Sequence, residues 1–258
     1  MKFDELDARM RVFETAHDYS VLPGIHIVAR IDGRGFTRLT KDVHKFEAPF
    51  DERFRDMMIE TVKHLMDCGF RTLYGYTQSD EISLLFHRDV DAFDRKTRKY
   101  NSVLAAEASA KFSLLLGAHA AFDCRISELP AAGDVIDYFR WRSEDAHRNA
   151  LNGHCYWALR GEGKTVKGAT NALHRLSVAD KNELLFQRGI NFNDLPLWQR
   201  RGVGVMWEDY EKCGINPLTD ETVITSRRRL KTELELPMKD DYSLFINRLL
   251  IEAVETKS

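Results

Sequence analysis

An α+β fold with a ferredoxin-like βαββαβ core is predicted for this chain by three observations. β-Branched runs and long amphipathic segments follow one another as strand, helix, strand, strand, helix, strand over residues 21–128. The second and third strand runs are separated only by Thr77-Gln78-Ser79-Asp80-Glu81, a hairpin-length connection rich in turn residues. The first strand run ends in Asp32-Gly33, a tight-turn pair. In such a fold an antiparallel sheet carries its helices on one face, and the first and third strands are central neighbours. The end of the first strand and the hairpin tip then lie side by side.

Each element has its own signal. Residues 1–20 read as a charged helix with Phe3, Leu6, Met10 and Phe13 at three- and four-residue spacings. Residues 24–32 form a β-branched run ending in a glycine-rich turn. From Asp51 to Cys68, Phe54, Met57, Met58, Val62, Leu65 and Met66 recur at helical spacing, with Gly69 where a helix would stop. Residues 71–76 and 82–86 read as short strands, 97–116 as a second long helix and 121–126 as a fourth strand. Beyond the palm-like core, residues 129–258 form a less regular α/β elaboration, with helices over 134–149 and 171–188 and strands over 203–208 and 222–226. No biased linker, internal repeat or low-complexity segment separates the halves, so residues 1–258 are expected to be a single catalytic domain.

The bulk numbers narrow the function classes. With 38 basic and 40 acidic residues the formal net charge is −2, so nucleic-acid binding would have to use local basic patches. Cys68, Cys124, Cys155 and Cys213 stand far apart with no CxxC pair, against a zinc ribbon or a disulfide framework and in keeping with a reducing cytoplasm. No run of about 18 apolar residues marks a membrane span. HxxxH, HExxH and GxxxxGK[ST] spacings are absent, which removes zinc-hydrolase and P-loop readings.

What remains is acidic. Asp32, Asp80 and Glu81 would meet at one sheet edge, and Asp32, the Gly33 carbonyl and Asp80 are the hard oxygen ligands that Mg²⁺ takes in nucleotidyl-transfer sites. Singly, each motif also reads as an ordinary turn; together with the strand order they favour a site. Arg95, Lys96, Arg98 and Lys99 open the second long helix, where they would either take phosphate oxygens or balance Asp89, Asp91 and Asp94. Arg227-Arg228-Arg229 with Lys231, beside a strand, would be either an RNA-backbone contact or a solvated surface offset by Glu233 and Glu235.

Five ordered blocks carry a family likeness. They are Arg30-Ile31-Asp32-Gly33-Arg34-Gly35-Phe36; Phe46 through Pro49 with Asp51; Tyr76-Thr77-Gln78-Ser79-Asp80-Glu81-Ile82-Ser83; Asp137-Tyr138-Phe139-Arg140-Trp141-Arg142 with Asp145, His147 and Asn149; and Ala179-Asp180-Lys181-Asn182-Glu183-Leu184-Leu185-Phe186. In these the chain resembles the tRNA(His) guanylyltransferase family and its bacterial and archaeal guanylyltransferase-like branch. The resemblance implies a polymerase-type palm and 3′-to-5′ nucleotide addition to a tRNA. A 5′-monophosphorylated end is activated with ATP or GTP and then attacked by the 3′-hydroxyl of an incoming nucleotide. It further implies two Mg²⁺ ions on Asp32, Asp80 and the Gly33 carbonyl, with Glu81 in support. Ser79, Lys96, Lys99, Arg34, Gly35 and Phe36 would lie around the nucleotide. His147, Asn149, Lys181, Asn182, Arg227 and Arg228 would touch RNA, in a cytoplasmic homotetramer. Eukaryotic members carry a lysine where this chain has Ala48, and an Asn-rich run where it has Arg148-Asn149-Ala150-Leu151-Asn152. These departures favour the like-protein branch and templated repair of tRNA 5′ ends over strict guanylate addition. A palm-type nucleotide cyclase and a non-catalytic tRNA-binding protein are the alternatives.

Overall fold

The computed structural model describes residues 1–215 and 222–255. In chain order the elements are helix α1 (Phe3–Thr15), strand β1 (His26–Gly33), a short α2 (Phe36–Arg38) running into a π-helical turn (Leu39–Val43), α3 (Glu52–Asp67), β2 (Thr72–Gln78), β3 (Glu81–Phe86), a 3-10 turn (Ala92–Arg95), α4 (Thr97–Leu116) and β4 (Phe122–Leu129). The second half adds α5 (Ala132–Gly161), α6 (Val166–Leu173), α7 (Val178–Phe186), a 3-10 turn (Phe192–Asp194), α8 (Leu197–Arg201), β5 (Val203–Ile215), β6 (Thr222–Glu233) and α9 (Lys239–Glu255). The strands form one antiparallel sheet in the order β4-β1-β3-β2-β5-β6, with β1 and β3 adjacent as the βαββαβ order requires. The chain is thus an α+β fold of the expected palm type.

Strand alternation decides which side chains go to which face. Ile27, Ala29 and Ile31 of β1 and Ile82, Leu84 and Phe86 of β3 point to one face, where α3 (Met58, Val62, Leu65) and α4 (Tyr100, Leu104, Phe112) bury them. Val28, Leu85, Tyr74 and Tyr76 point to the other, against Val135 and Phe139 of α5 and Tyr242 and Ile246 of α9. Helices therefore cover both faces rather than one. The elaboration supplies the second layer because a single helical layer would leave Val28, Leu85, Tyr74 and Tyr76 wet.

Local chemistry sets the helix ends. Asp51 caps α3, its Oδ1 accepting from the Arg53 and Phe54 amides at 2.8 and 3.4 Å. Its Oδ2 takes the Glu47 amide at 2.8 Å and the Arg53 guanidinium at 2.6 Å, and these bonds, Arg53's first, hold the carboxyl well below the usual range. Asp51→Ala should therefore cost about 1–3 kcal/mol in denaturant titrations at neutral pH. Because the folded pKa is depressed, that stabilisation exists above the ordinary carboxylate value and is lost as pH falls below about 4. The gap between wild type and variant should close there. Under β2, Gly75 is required by packing, since a Cβ would stand 2.4 Å from Val62 Cγ1.

Four expectations from the sequence need correction. The helix read over 171–188 is two helices, α6 and α7. Arg175 takes φ 72° between them, and Ser177 opens α7 with a capping box to Asp180, a start signal that a continuous apolar period conceals. The helix read over 134–149 continues to Gly161 as α5. The strands read over 203–208 and 222–226 are the ends of a long β5–β6 ribbon in register from Gly204↔Glu233 to Ile215↔Thr222, so Arg227 and Arg228 lie within a strand. Arg95 does not open the second long helix as a surface cation: it sits before α4 at φ 57°, buried, donating to the carbonyls of Val21, Ile25, Arg88 and Val90. Its cation is occupied in tying loops together.

Candidate active site

At the end of the sheet where β1 stops and β3 starts, the face toward α5 turns from apolar to charged. Residues in phase with Val28 on β1 are Arg30 and Asp32, and those in phase with Leu85 on β3 are Ser83 and Glu81, with Asp32 opposite Glu81 and Arg30 opposite Ser83 in the ladder. The β2–β3 connection is tight: Gln78 pairs with Glu81, leaving Ser79 and Asp80 as the tip. Thr77 Oγ1 donates to the Glu81 carbonyl at 2.9 Å, and Gln78 Nε2 to the Gln199 carbonyl on α8 at 2.7 Å. Ser79 is held at φ 53°, a left-handed conformation that disfavours a residue with a Cβ and that the surrounding bonds over-determine. The Gly33 amide donates to the Asp80 carbonyl at 3.0 Å. In an extended strand N–H and C=O of one residue share a side, so the Gly33 carbonyl also faces the hairpin tip. A Cβ at Gly33 would lie 2.5 Å from the Phe36 ring, which fills the space beneath this turn.

The three carboxylates have different surroundings. Glu81 is held by Arg30, which donates to its Oε2, and by Arg142 of α5, whose Nε lies 2.9 Å from Oε1 as an ion pair short of hydrogen-bond alignment. Arg142 is in turn bonded to Asp145 at 2.8 Å. Burial raises the Glu81 carboxyl, and Arg142 and then Arg30 pull it back. Asp32 is less committed, with Arg30 at 3.8 Å and Arg125 at 4.0 Å. Asp80 accepts from Ser79 Oγ at 3.1 Å; burial raises its carboxyl against the pull of its own backbone amide and of Ser79, and the Asp32 charge adds to the rise.

Asp32 and Asp80 thus suit a divalent cation: oxygen donors close together, one of them disfavoured as a bare anion. Among the described residues no three His, Cys, Asp or Glu side chains converge. An ion here would take two carboxylates and the Gly33 carbonyl, leaving places for water and phosphate oxygens, which matches Mg²⁺ better than zinc. Asp32, Asp80 and Glu81 lie at one sheet edge as expected, with Asp32 and Asp80 the more open oxygen donors and Glu81 engaged by guanidinium groups.

The other residues named from the sequence divide by location. Asn149 joins the site, donating to Asp145 at 3.1 Å and lining a cavity of about 360 Å³ with Arg30, Asp32, Asp80, Glu81 and Arg142. Ser79 stands where this cavity and two neighbours meet. Arg34 and Gly35 are exposed on the adjoining groove with His119, while Phe36 is core, packed on Phe54, Phe112 and Phe122. Lys96 lies at the opposite end of the sheet. It bridges to Ser20 and pairs with Asp18 at 3.7 Å, and Lys99 follows in the first turn of α4, a helix about 30 Å long whose other end approaches Phe122 and Gly33. Within one chain these lysines do not reach Asp80. His147 packs edge-on against Phe192, and burial, with Arg200 and Arg201, lowers its pKa. Lys181 and Asn182 are on α7, where Asn182 bonds back to the Val178 carbonyl. Arg228 covers Trp207 at 4.8 Å, and Arg227, opposite Tyr210, is exposed on the ribbon.

Sequence reading missed Arg30 and Arg142 as members of the site. Arg30 was legible, since it is two residues from Asp32 on a strand and so on the same face. Arg142 was not, because only the packing of α5 brings it to β3.

The chain is similar to known proteins over most of its length. A family profile described as tRNAHis guanylyltransferase matches residues 7–130, and one described as Thg1 C terminal domain matches residues 133–241. A probable tRNA(His) guanylyltransferase of Drosophila melanogaster is 36% identical over 232 residues, 84% of this chain and 81% of that protein. The tRNA(His) guanylyltransferase of Neurospora crassa is 32% identical over 205 residues, 74% and 69%. Among solved structures, a bacterial tRNA(His) guanylyltransferase-like protein in complex with GTP superposes with a TM-score of 0.75 at 28% identity, covering 96% of this chain and 99% of that one. The tRNA(His) guanylyltransferase of Saccharomyces cerevisiae gives 0.71 at 26%, covering 80% and 93%.

Proposed function

The chain belongs to the tRNA(His) guanylyltransferase family and is a nucleotidyltransferase, and from that premise we propose that it extends the 5′ end of tRNA in the 3′-to-5′ direction, in template-directed fashion. The observation that carries the reading is the pairing of Asp32 with Asp80 at a hairpin tip where three cavities meet. In the first step an oxygen of the tRNA 5′-monophosphate attacks the α-phosphorus of ATP or GTP and pyrophosphate leaves. In the second, the 3′-hydroxyl of an incoming nucleotide attacks the 5′-phosphorus of the activated end and the nucleoside monophosphate leaves. Both are in-line displacements, in which positioning and charge neutralisation dominate and no covalent protein nucleophile is needed.

Asp32, Asp80 and the Gly33 carbonyl would hold two Mg²⁺ ions, which supply charge for the phosphates and acidify the attacking hydroxyl. Glu81 fixes Arg30 and Arg142 along the same edge, so that two cations stand beside the carboxylate pair without collapsing onto it. Ser79 presents its hydroxyl at the junction of the cavities. The fit to a bacterial like-protein over nearly its whole length, and the Ala48 and Arg148–Asn152 departures, support repair over untemplated guanylate addition. Residues 1–258 would act as one catalytic unit, because β5 and β6 continue the sheet that β1–β4 begin. A cytoplasmic homotetramer is part of the same reading; the exposed apolar residues Phe3, Met10 and Phe13 of α1 are consistent with association.

The test is to incubate the protein with Mg²⁺, ATP, GTP and two 5′-monophosphorylated tRNAs, one complete tRNA(His) and one lacking its 5′-terminal nucleotide, and to sequence the products. Extension of the truncated RNA that stops at a fully paired acceptor stem is expected. Addition of an unpaired guanylate to the complete tRNA(His) alone would replace repair by guanylate addition, and no extension of either RNA would overturn the reading.

A further inference from the structure

Two cations that the carboxylate site does not use face one space. Lys41 belongs to the π-helical turn after α2, a form of backbone that recurs at functional sites. Its Nζ donates to the Glu47 carbonyl at 2.9 Å and lies 5.5 Å from the centre of the Trp157 ring. Arg160 is three residues beyond Trp157 on α5 and so on the same helix face. One of its terminal nitrogens donates to Tyr156 Oη at 3.2 Å, while its Nε is buried without a hydrogen-bond partner. Lys41 and Arg160 line a cavity of about 670 Å³ that also carries Ser79 and Asp80 on its wall.

The cations are short of anionic partners. Burial lowers the Lys41 pKa, and the carboxylate that pulls it back, Asp51, is already bonded to Arg53 and three backbone amides. A lysine satisfied by one carbonyl and a guanidinium with an orphaned buried N–H make a cradle for phosphate oxygens. Tyr156 and Trp157 offer aromatic faces between them. The cavity falls in the size range of small-ligand pockets, and α6 closes one side through Val166 and Thr170, which suits a free nucleotide better than the end of an RNA duplex.

We propose that Lys41 and Arg160 grip the polyphosphate of the nucleoside triphosphate, presenting it to the Asp32–Asp80 pair across the cavity. This assignment rests on the nucleotidyltransferase reading above.

Calorimetric titration with Mg·ATP and with adenosine tests it on the wild type, Lys41→Ala, Lys41→Arg and Arg160→Gln, each checked for a cooperative thermal melt. Lys41→Ala and Arg160→Gln should each weaken ATP binding by about tenfold or more while leaving adenosine unchanged, and Lys41→Arg should restore most of the loss. Affinities for ATP within about twofold of the wild type in both variants would overturn the assignment. So would an equal loss for adenosine, which would mean a collapsed pocket. Weakened binding of 5′-monophosphorylated tRNA with unchanged ATP binding would move the cradle to the RNA end and overturn it as stated. A wild type that binds no ATP would instead overturn the parent reading.

Discussion

Asp80→Asn and Asp32→Ala should each lower nucleotide addition by about a thousandfold or more, measured in single-turnover extension of a truncated tRNA, while the protein stays folded. Neither residue is built into the core. Among the described residues Asp80 bonds the side chain of Ser79, and Asp32 is separated from its nearest cations by 3.8 and 4.0 Å, so removal leaves no buried partner there unsatisfied. Asp80→Asn should even raise the melting midpoint at neutral pH. The folded carboxyl titrates above its unfolded value because burial disfavours its charge, so the native state binds more protons than the unfolded one across that interval. Wild-type stability then falls as pH rises from the ordinary carboxylate range through the raised pKa, and the asparagine variant should not follow it. Mg²⁺ ought to raise the wild-type midpoint by binding the native state alone, and this increment should vanish in both variants. Full activity in Asp80→Asn, or an undiminished Mg²⁺ shift, would remove the assignment of this pair as the metal site.

The carboxylate pair was legible because every step to it is local or topological. Asp32 ends a β-branched run, Ser79-Asp80 is too short to be anything but a hairpin tip, and the βαββαβ order makes β1 and β3 neighbours. Other placements depend on long-range packing. Phe36, which the resemblance puts beside the nucleotide, turns its ring into the space beneath Gly33 while still edging the cavity that Ser79 and Asp80 line. Lys96 and Lys99, which the resemblance puts beside the nucleotide, stand on the first turn of a helix about 30 Å long that carries them away from Asp80 within one chain. Arg95 shows that a basic residue in a charge run can be a buried carbonyl clamp, which depends on where four loops end. Arg142, Lys41 and Arg160 reach the site only through the packing of α5 against β3 and the π-helical turn. That packing is a long-range property, and no spacing in the sequence encodes it.

The same packing makes Arg142 the residue whose removal should disturb the fold most among the site's cations. Its side chain is 8% exposed and that of Glu81 16%, so the pair is nearly out of water, and a carboxylate left there with Arg30 alone is undercompensated. Arg142→Met, which keeps much of the volume, should cost about 2–4 kcal/mol in denaturant unfolding. Adding Glu81→Gln should return part of that loss, giving a coupling of about 1–3 kcal/mol in a double-mutant cycle. The pH dependence has a definite sign. The Arg142 charge helps hold the Glu81 carboxyl down against its burial, so its loss lets the folded pKa rise further. Glu81 is then penalised above that pKa and relieved below it, and the deficit of Arg142→Met should shrink as pH falls. Activity should drop as well, because a Glu81 without Arg142 competes more strongly for Arg30, the guanidinium that also faces Asp32. A coupling near zero, with the deficit flat across pH, would show that Arg142 serves α5 through Asp145 alone and that Glu81 is free to act directly at the site.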